Sequence, residues 1–297
     1  MSTLVVVAGP TAVGKTDFCV RLAQYFDTEI LSVDSRQFYK ELSIGTAKPT
    51  EAERQGVIHH FIDSHSISES YSAGAFERDA LASLDTLFQK KDIVIVTGGS
   101  GLYIKALSEG LDDLPDTPPE LRAELMQRLK NEGLTSLQNQ LQILDPVYCK
   151  NNDLQNSQRV VRALEVCLFF NKPFSSFRQR QTIQRPFEII EIGLERSREE
   201  LYQRIDTRMD EMLAKGLVEE VKNLIDFRSH NALQTVGYKE VFNFLDGEYD
   251  YEEMVRLLKR NTRRYAKRQM TWFKHQGNYK WFSPNNFEGV VDWIIKK

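Results

Sequence analysis

Residues 9–16 read GPTAVGKT, which matches the phosphate-binding pattern GxxxxGK[ST] at every specified position. The preceding residues 3–8, TLVVVA, are apolar and mostly β-branched, which predicts a buried strand. From Lys15 to about Tyr25, apolar side chains recur at helical spacing. A strand, a glycine-rich turn and a helix in this order are the context that the pattern requires. The segment therefore predicts a site for phosphate or diphosphate.

The chemistry of this loop follows from its residue types. Glycines let backbone N–H groups converge on phosphate oxygens, and the N-terminus of the following helix adds a positive dipole. The Lys15 ammonium is expected to neutralise phosphate charge, and the Thr16 hydroxyl is expected to hold Mg²⁺. The predicted diphosphate-binding residues are Gly9, Pro10, Thr11, Ala12, Val13, Gly14, Lys15 and Thr16.

Strand and helix patterns alternate after this loop. EILSVD (29–34), DIVIVTGG (92–99) and PFEIIEIGLE (186–195) resemble buried strands, with helical patterns between them. Alternation of this kind predicts an α/β fold with a parallel sheet covered by helices on both faces. The acidic, proline-rich stretch DDLPDTPPE near residue 112 marks a boundary, and mostly helical sequence follows it. We therefore predict an α/β core of residues 1–115 and 186–297, and an inserted helical domain of residues 116–185.

Composition narrows the functional classes. The 297 residues are 41% hydrophobic and 27% charged, as in ordinary globular proteins. No stretch approaches the roughly 18–20 apolar residues of a spanning helix, and the start does not resemble a secretory signal. Cys19, Cys149 and Cys167 lie far apart, with no CxxC pair. We therefore expect a cytoplasmic protein in a reducing compartment, without a membrane partner.

The net charge of −3 hides a strongly basic segment. Residues 256–280 contain no Asp or Glu and nine cations, namely Arg256, Lys259, Arg260, Arg263, Arg264, Lys267, Arg268, Lys274 and Lys280. Because solvated helix faces usually mix both signs of charge, this segment favours contact with a polyanion over a merely solvated face. Tyr265, Trp272 and Phe273 lie among these cations and are expected to be core residues on the opposite face.

The acids do not suit a conventional nucleotide hydrolase. In a kinase or ATPase, a strand ending in Asp is expected to hold Mg²⁺ opposite the phosphate-binding loop. The strand before Thr97-Gly98-Gly99 ends without a carboxylate, and Asp34 is the acid at the end of a core strand. From the residues alone, Asp34 is a magnesium ligand, a base facing the substrate, or a helix-capping residue.

Several motifs in order along the chain resemble one family. They are GPTAVGKT, SVDSRQFYKELSIGTAKP (32–49), YSAGAF (71–76), TGGSGLY (97–103), TVGYKE (235–240) and RNTRRYAKRQMTWF (260–273). Together they resemble the tRNA dimethylallyltransferase family, whose fold is a P-loop NTPase-like sheet. The resemblance implies that the loop binds the diphosphate of dimethylallyl diphosphate. It also implies prenylation of the exocyclic amine of the adenosine on the 3′ side of the anticodon, in tRNAs that read codons starting with U.

The resemblance assigns catalytic roles to particular residues. Asp34 matches the family's general base, which accepts a proton from the attacking adenine amine. Arg198 and Arg204 match its diphosphate-binding arginines, and their six-residue separation places them about 120° apart around a helix. The predicted catalytic residues are therefore Asp34, Lys15, Thr16, Arg198 and Arg204. The resemblance also implies Mg²⁺, held by Thr16.

The resemblance also implies contacts with the anticodon stem-loop. The predicted tRNA-binding residues are Asp34, Ser35, Arg36, Gln37, Ser100, Arg122, Gln158, Arg159, Val160, Val161 and Arg162. Ser100 stands where many relatives carry Thr and keeps the hydroxyl. The chain departs from the family's Asn-Asp-Pro-Gln-Arg run, because Asn156 and Ser157 replace the Asp and Pro. This departure concerns the geometry of the turn.

Alternative functions share some of these motifs. An adenylate isopentenyltransferase acting on free AMP or ATP has the same core motifs, but a small acceptor needs neither the insertion nor the basic helix. A P-loop small-molecule kinase is disfavoured by the missing acid after the strand. An RNA-binding module with a vestigial loop is disfavoured by the intact Lys15, Thr16 and Asp34. We expect tRNA and dimethylallyl diphosphate as partners, and a monomer.

Overall fold

A computed structural model describes residues 2–69, 71–112, 114–178 and 183–297 of the chain. The chain forms two compact units. The sheet unit comprises Met1–Glu109 and Gln184–Lys297, and the insertion comprises Gly110–Ile183. The sequence places the insertion at 116–185, and residues 179–182 of that range lie outside the described residues.

In the described part of the sheet unit, six parallel strands form one sheet in the order β3-β2-β4-β1-β5-β6. Their bounds are β1 Thr3–Ala8, β2 Ile30–Val33, β3 His59–His60, β4 Ile93–Gly98, β5 Glu188–Leu194 and β6 Lys280–Phe282. The predicted α/β class is confirmed. The short strands β3 and β6 lie at the two edges, where a strand of two or three residues carries too little pattern to be recognised in the sequence.

The helices of the sheet unit follow most of the strands. They are α1 Lys15–Tyr25, α2 Glu51–Arg54, α3 Ala73–Leu87, α4 Gly101–Glu109, α9 Arg198–Ala214, α10 Leu217–Lys222, α11 Tyr238–Leu245, α12 Tyr251–His275 and α13 Phe287–Ile295. Short 3₁₀ turns at Ile225–Phe227 and Asn231–Leu233 connect α10 to α11.

Alternation along the strands divides the core into two layers. Val5 and Val7 of β1 pack on one face with Phe18 of α1 and Ile205 of α9. Leu4, Val6 and Ala8 pack on the other face with side chains of α3 and α4 and with Phe273 of α12. Because successive side chains of a strand point to opposite faces, a continuous β-branched run buries both sides of a central strand.

A third apolar cluster fixes the chain that follows β2. Phe38 and Leu42 pack with Met209, Tyr238 and Leu258 from α9, α11 and α12. All five side chains are at most 4% exposed. This packing holds residues 34–49 beside the carboxyl ends of the strands, where ligands bind in open parallel sheets.

The insertion is helical and has its own core. Its described helices are α5 Pro119–Glu132, α6 Leu134–Leu144, α7 Pro146–Asn151 and α8 Ser157–Phe170, followed by a 3₁₀ turn at Phe174–Phe177. Leu125, Leu137, Leu141 and Leu164 are fully buried together. In the described ranges of both units, no helix has the length and apolar character needed to cross a bilayer.

Candidate active site at the phosphate-binding loop

The loop between β1 and α1 is held in a defined shape by close contacts. A Cβ on Gly9 would approach the Leu194 carbonyl oxygen of the neighbouring strand to 2.8 Å, so this position needs glycine. Ala12 has φ +64° and Gly14 has φ +107°, both in the left-handed region. A left-handed conformation costs an alanine about 1–2 kcal/mol and persists only where surrounding contacts impose it.

Lys15 contributes to those contacts. Its Nζ donates hydrogen bonds of 2.9 Å to the carbonyl oxygens of both Gly9 and Pro10. Burial, followed by repulsion from the Arg208 guanidinium, lowers the pKa of Lys15 from 10.5 to about 8, and the Asp34 carboxylate partly opposes this. The loop therefore holds a desolvated cation that an incoming anion would stabilise.

Arginines beside α1 complete the cationic surroundings of the loop. Arg204 donates from Nε to the Ala12 carbonyl oxygen at 2.8 Å and lines the cavity above the loop. Arg208, one helical turn later, lines the same cavity, and burial lowers its pKa while Asp34 opposes that effect. Arg196, at the end of β5, donates from Nε to the Val13 carbonyl oxygen at 2.8 Å.

Arg198 does not line the cavity with this group, so its contact with the diphosphate stays a prediction. The side chain is exposed and its guanidinium carbon lies 5.1 Å from the centre of the Tyr202 ring. Arg204 and Arg208 are four residues apart and share a helix face, whereas Arg198 is rotated away from them. Sequence reasoning did not identify Arg196 or Arg208; the four-residue spacing from Arg204 was a signal for Arg208 alone.

A cavity of about 800 Å³ opens above the loop. Lys15, Thr16, Asp34, Arg36, Arg204 and Arg208 line it, together with apolar side chains that include Ile44, Met212 and Val236. The loop, the acid and the arginines thus face one space. An anion-binding wall beside a partly apolar wall suits a ligand with a diphosphate head and a short hydrocarbon chain.

Asp34 follows the last residue of β2 and lines the cavity. Its Oδ1 accepts a 2.9 Å hydrogen bond from the Arg36 backbone N–H. The next residue, Ser35, donates its backbone N–H to the Ser100 Oγ at 2.9 Å. The hydroxyl that Ser100 retains therefore ties the segment after β2 to the segment after β4.

Gln37 and Gln269 brace the cavity walls. Gln37 donates from Nε2 to the carbonyl oxygens of Thr46 and Ala47 at 3.1 and 3.2 Å. Buried Gln269 of α12 accepts from the Thr11 N–H at 2.8 Å and donates to the Gly99 carbonyl oxygen at 2.9 Å. It therefore joins the phosphate-binding loop to the end of β4, a role that sequence reasoning missed.

Glu220 of α10 holds the loop that follows Gln37. Its carboxylate accepts backbone N–H bonds from Ser43, Ile44 and Gly45 at 3.1, 2.7 and 2.9 Å, and a bond from the Tyr238 hydroxyl at 2.7 Å. A Cβ on Gly45 would approach Tyr238 Cε2 to 2.6 Å. One carboxylate thus fixes three consecutive residues that line the cavity.

The basic helix α12 divides into two faces. Lys259 and Arg263 form ion pairs of 2.6 and 2.7 Å with Asp210 and Asp206 of α9. Two further cations also have acidic partners: Arg256 pairs with Glu253 of α12, and Lys274 pairs with Glu195, which follows β5. The absence of acids within the segment therefore overstated its free charge, because the acids come from elsewhere. Arg264, Lys267 and Arg268 remain exposed.

The aromatic residues of that helix are distributed between core and cavity. Phe273 is 1% exposed and Trp272 packs against the same layer, as predicted. Tyr265 lines the cavity beside Asp34 and Arg36 instead of serving only as core.

In the insertion, several predicted RNA-binding residues surround one buried acid. Glu165 is 1% exposed and accepts hydrogen bonds of 2.7 Å from Arg122 and 3.2 Å from Arg162. Arg122 of α5 also donates to the Gln158 side chain of α8 at 2.7 Å. Arg159, the next residue of α8, is exposed. The Glu165 carboxylate thus binds the guanidinium groups of Arg122 and Arg162, which are 40 residues apart in the sequence.

Val160 and Val161 need correction as RNA-binding residues. Both side chains are fully buried in the core of the insertion, so neither is available to a nucleic acid. Asn156 caps α8 by accepting the Arg159 N–H at 3.2 Å. Because Asn caps helices as well as Asp does, the substitution preserves the start of this helix.

Comparison with known proteins identifies the relatives of this chain. Residues 37–276 match the family model described as IPP transferase. The chain is 54% identical to tRNA dimethylallyltransferase of Cytophaga hutchinsonii over 99% of its length and 97% of the relative, and 48% identical to the Christiangramia forsetii protein of that name over 99% and 98%.

Solved structures agree with this result. The tRNA isopentenylpyrophosphate transferase of Bacillus halodurans is 35% identical, with a TM-score of 0.74, and the match covers 100% of this chain and 96% of that one. A eukaryotic dimethylallyltransferase, whose structures describe its action on tRNA, is 28% identical with a TM-score of 0.78; the match covers 97% and 75%. The P-loop NTPase-like fold is confirmed, and the chain belongs to the IPP transferase family of prenyltransferases.

Proposed function

We propose that this member of the IPP transferase family transfers the dimethylallyl group of dimethylallyl diphosphate to a tRNA adenosine. The acceptor atom is the exocyclic amine of the adenosine on the 3′ side of the anticodon, in tRNAs that read codons starting with U. The products are isopentenyladenosine and diphosphate. The observation that carries the proposal is the single cavity lined by the cationic phosphate-binding loop and by Asp34.

Asp34 acts on the acceptor amine in this reaction, and the phosphate-binding loop acts on the leaving diphosphate. The bond between the allylic carbon and the diphosphate oxygen breaks, and its electron pair leaves with diphosphate. The adenine nitrogen forms the new bond to that carbon, and its proton passes to the Asp34 carboxylate. An aryl amine is a weak nucleophile, so a positioned carboxylate that accepts its proton contributes about 10²–10⁴-fold to the rate.

The loop and the arginines stabilise the leaving group. Negative charge grows on diphosphate as the bond breaks, and Lys15, Arg204 and Arg208 present fixed positive charge to the space that it occupies. Cations placed where charge develops lower the barrier because they need no reorganisation during the reaction.

Mg²⁺ fits the oxygen donors of this site. Thr16 supplies a hydroxyl that faces the cavity beside Lys15. In the described residues no cluster of three His, Cys, Asp or Glu could hold a metal. Mg²⁺ binds through few protein oxygens together with phosphate oxygens and water, so Thr16 would hold it together with oxygens of the diphosphate. When bound, the metal would neutralise charge on the leaving diphosphate.

The tRNA acceptor is supported by basic surfaces and by the names of the relatives. Arg264, Lys267 and Arg268 are exposed on α12, and Arg122, Arg159 and Arg162 lie on helices of the insertion. Cations of this kind bind a phosphate backbone and make the affinity depend on salt. A target base in a stacked loop must leave the stack before its amine can enter a cavity. We place the reaction in the cytoplasm and assign it to a monomer.

Mass spectrometry of nucleosides tests the proposal. Unmodified tRNA is incubated with the protein, Mg²⁺ and dimethylallyl diphosphate in the absence of ATP, and then digested. Isopentenyladenosine next to the anticodon is expected. Prenylation of AMP without prenylation of tRNA would indicate a free-nucleotide acceptor, and turnover that appears only with ATP would refute the transferase.

Variants separate the chemistry from binding. Asp34→Asn is expected to lower kcat by at least 10²-fold while pyrophosphate binding changes little, because the amide cannot accept the proton. Asp27→Asn is the matched control, because Asp27 is exposed and pairs with Lys91 at 2.8 Å. Full activity of Asp34→Asn would remove the general-base assignment.

A further inference from the structure

Arg196 lies against the phosphate-binding loop from the side of β5. Its Nε donates to the Val13 carbonyl oxygen at 2.8 Å, and Nη1 pairs with the Glu200 carboxylate. The side chain is 11% exposed, although it carries a full charge. A buried guanidinium with two defined partners has little freedom to move, so its contact with the loop is rigid.

Arg196 and Arg204 hold consecutive peptide groups of the loop. Arg204 donates to the Ala12 carbonyl oxygen and Arg196 to the Val13 carbonyl oxygen, each at 2.8 Å. The Nη2 atom of Arg196 lies 3.6 Å, and that of Arg204 3.9 Å, from the point that a Cβ on Gly14 would occupy. Two guanidinium groups from α9 and the segment before it therefore converge on the same turn.

These contacts act at a turn whose backbone has positive φ angles, which strain Ala12 but not glycine. Ala12 and Gly14, on either side of Val13, both have positive φ values. A carbonyl group and the N–H of the following residue belong to one rigid peptide plane and point in opposite directions. Fixing the carbonyl oxygens of Ala12 and Val13 therefore fixes the directions of the N–H groups of Val13 and Gly14.

We propose that Arg196 is a positioning residue for the diphosphate, acting by locking the peptide between Val13 and Gly14 in the orientation that binds the anion. This inference rests on the proposed function of the loop and adds a residue to it. The Arg196 Nη2 lies beside Gly14, although the side chain does not line the cavity. Arg196 thus acts through the backbone, whereas Arg204 both holds the backbone and faces the ligand.

Arg196→Met and Arg196→Lys test the proposal with inorganic pyrophosphate as the probe. Calorimetric Kd values are measured with Mg²⁺, and hydrogen exchange is followed in peptides covering residues 9–16. Arg196→Met is expected to raise the Kd about tenfold, equivalent to about 1.4 kcal/mol, and to speed exchange in the loop. Arg196→Lys keeps the positive charge but not the planar guanidinium with its several N–H donors, and is expected to recover part of the affinity.

Steady-state kinetics distinguish positioning from a general loss of structure. Arg196→Met is expected to raise the KM for dimethylallyl diphosphate and leave the KM for tRNA within twofold. Arg21→Met is the matched control, because Arg21 is exposed on α1 and stacks on the Phe287 ring at 4.3 Å. If Arg196→Met unfolds, Glu200→Gln removes the partner of Nη1 and is expected to give a smaller change of the same kind.

The outcomes separate this inference from the proposed function. Unchanged pyrophosphate affinity in folded Arg196→Met, with or without faster exchange, would overturn the positioning role. A parallel rise in both KM values would also overturn it. If the wild-type protein fails to bind pyrophosphate or to prenylate tRNA, the proposed function itself fails, whatever the variant does.

Discussion

Lys15 is expected to destabilise the free protein near neutral pH, and Lys15→Met removes that effect. Its pKa falls from 10.5 to about 8 through burial and through repulsion by Arg208. A shift of this size corresponds to about 3 kcal/mol at pH 7, because each unit is worth about 1.4 kcal/mol. Two hydrogen bonds to the carbonyl oxygens of Gly9 and Pro10 offset about 1 kcal/mol each. Lys15→Met is therefore expected to be about 1 kcal/mol more stable at pH 7.

The pH dependence gives the decisive measurement. The folded-state pKa lies below the unfolded one, so the unfolded chain binds more protons between them and wild-type stability rises with pH. From pH 7 to pH 9.5, values of about 8 and 10.5 give a gain of about 2 kcal/mol from Lys15. The methionine variant lacks this gain, so the difference between the two proteins changes by that amount.

Urea unfolding of both proteins at the two pH values, without ligand, measures this difference. Other titrating groups cancel in the comparison, and equal m-values confirm that the unfolded states are comparable. A difference in free energy of unfolding that is the same at both pH values would refute the reasoning about Lys15. Pyrophosphate binding gives a second readout, since Lys15→Met is expected to lose it while gaining stability.

Further variants address the arginines and the insertion. Arg204→Ala is expected to weaken pyrophosphate binding at least tenfold, which calorimetry measures. Arg198→Ala is expected to weaken it less than twofold, since of these two arginines Arg204 donates to the loop and Arg198 packs on Tyr202. Glu165→Gln is expected to destabilise the insertion by about 1–2 kcal/mol, because two arginines lose their carboxylate; hydrogen exchange in residues 110–178 measures this, and unchanged exchange would contradict it. Asn156→Ala is expected to lose about 1 kcal/mol of helix-capping energy in urea unfolding, whereas Asn156→Asp retains it.

Much of the fold follows from local pattern. The strand before GPTAVGKT, the loop and α1 are contiguous, so periodicity and glycine spacing identify all of them. The sequence also predicts that Lys15, Thr16 and Asp34 line one cavity, because the carboxyl ends of parallel strands meet at one edge of the sheet. The edge strand β6 escaped prediction because three residues carry too little pattern.

Contacts between distant residues account for what the sequence did not reveal. Arg196 reaches Val13 across 183 positions, and Gln269 reaches Thr11 across 258. Two cations of α12, Lys259 and Arg263, pair with acids of α9, so the free charge of α12 could not be assessed from its own sequence. Motifs and periodicity thus determine the fold class and the chemical groups at the loop, because those signals are local. Only the folded chain selects which arginines hold the loop and which cations are neutralised, because packing brings together residues that no sequence spacing relates.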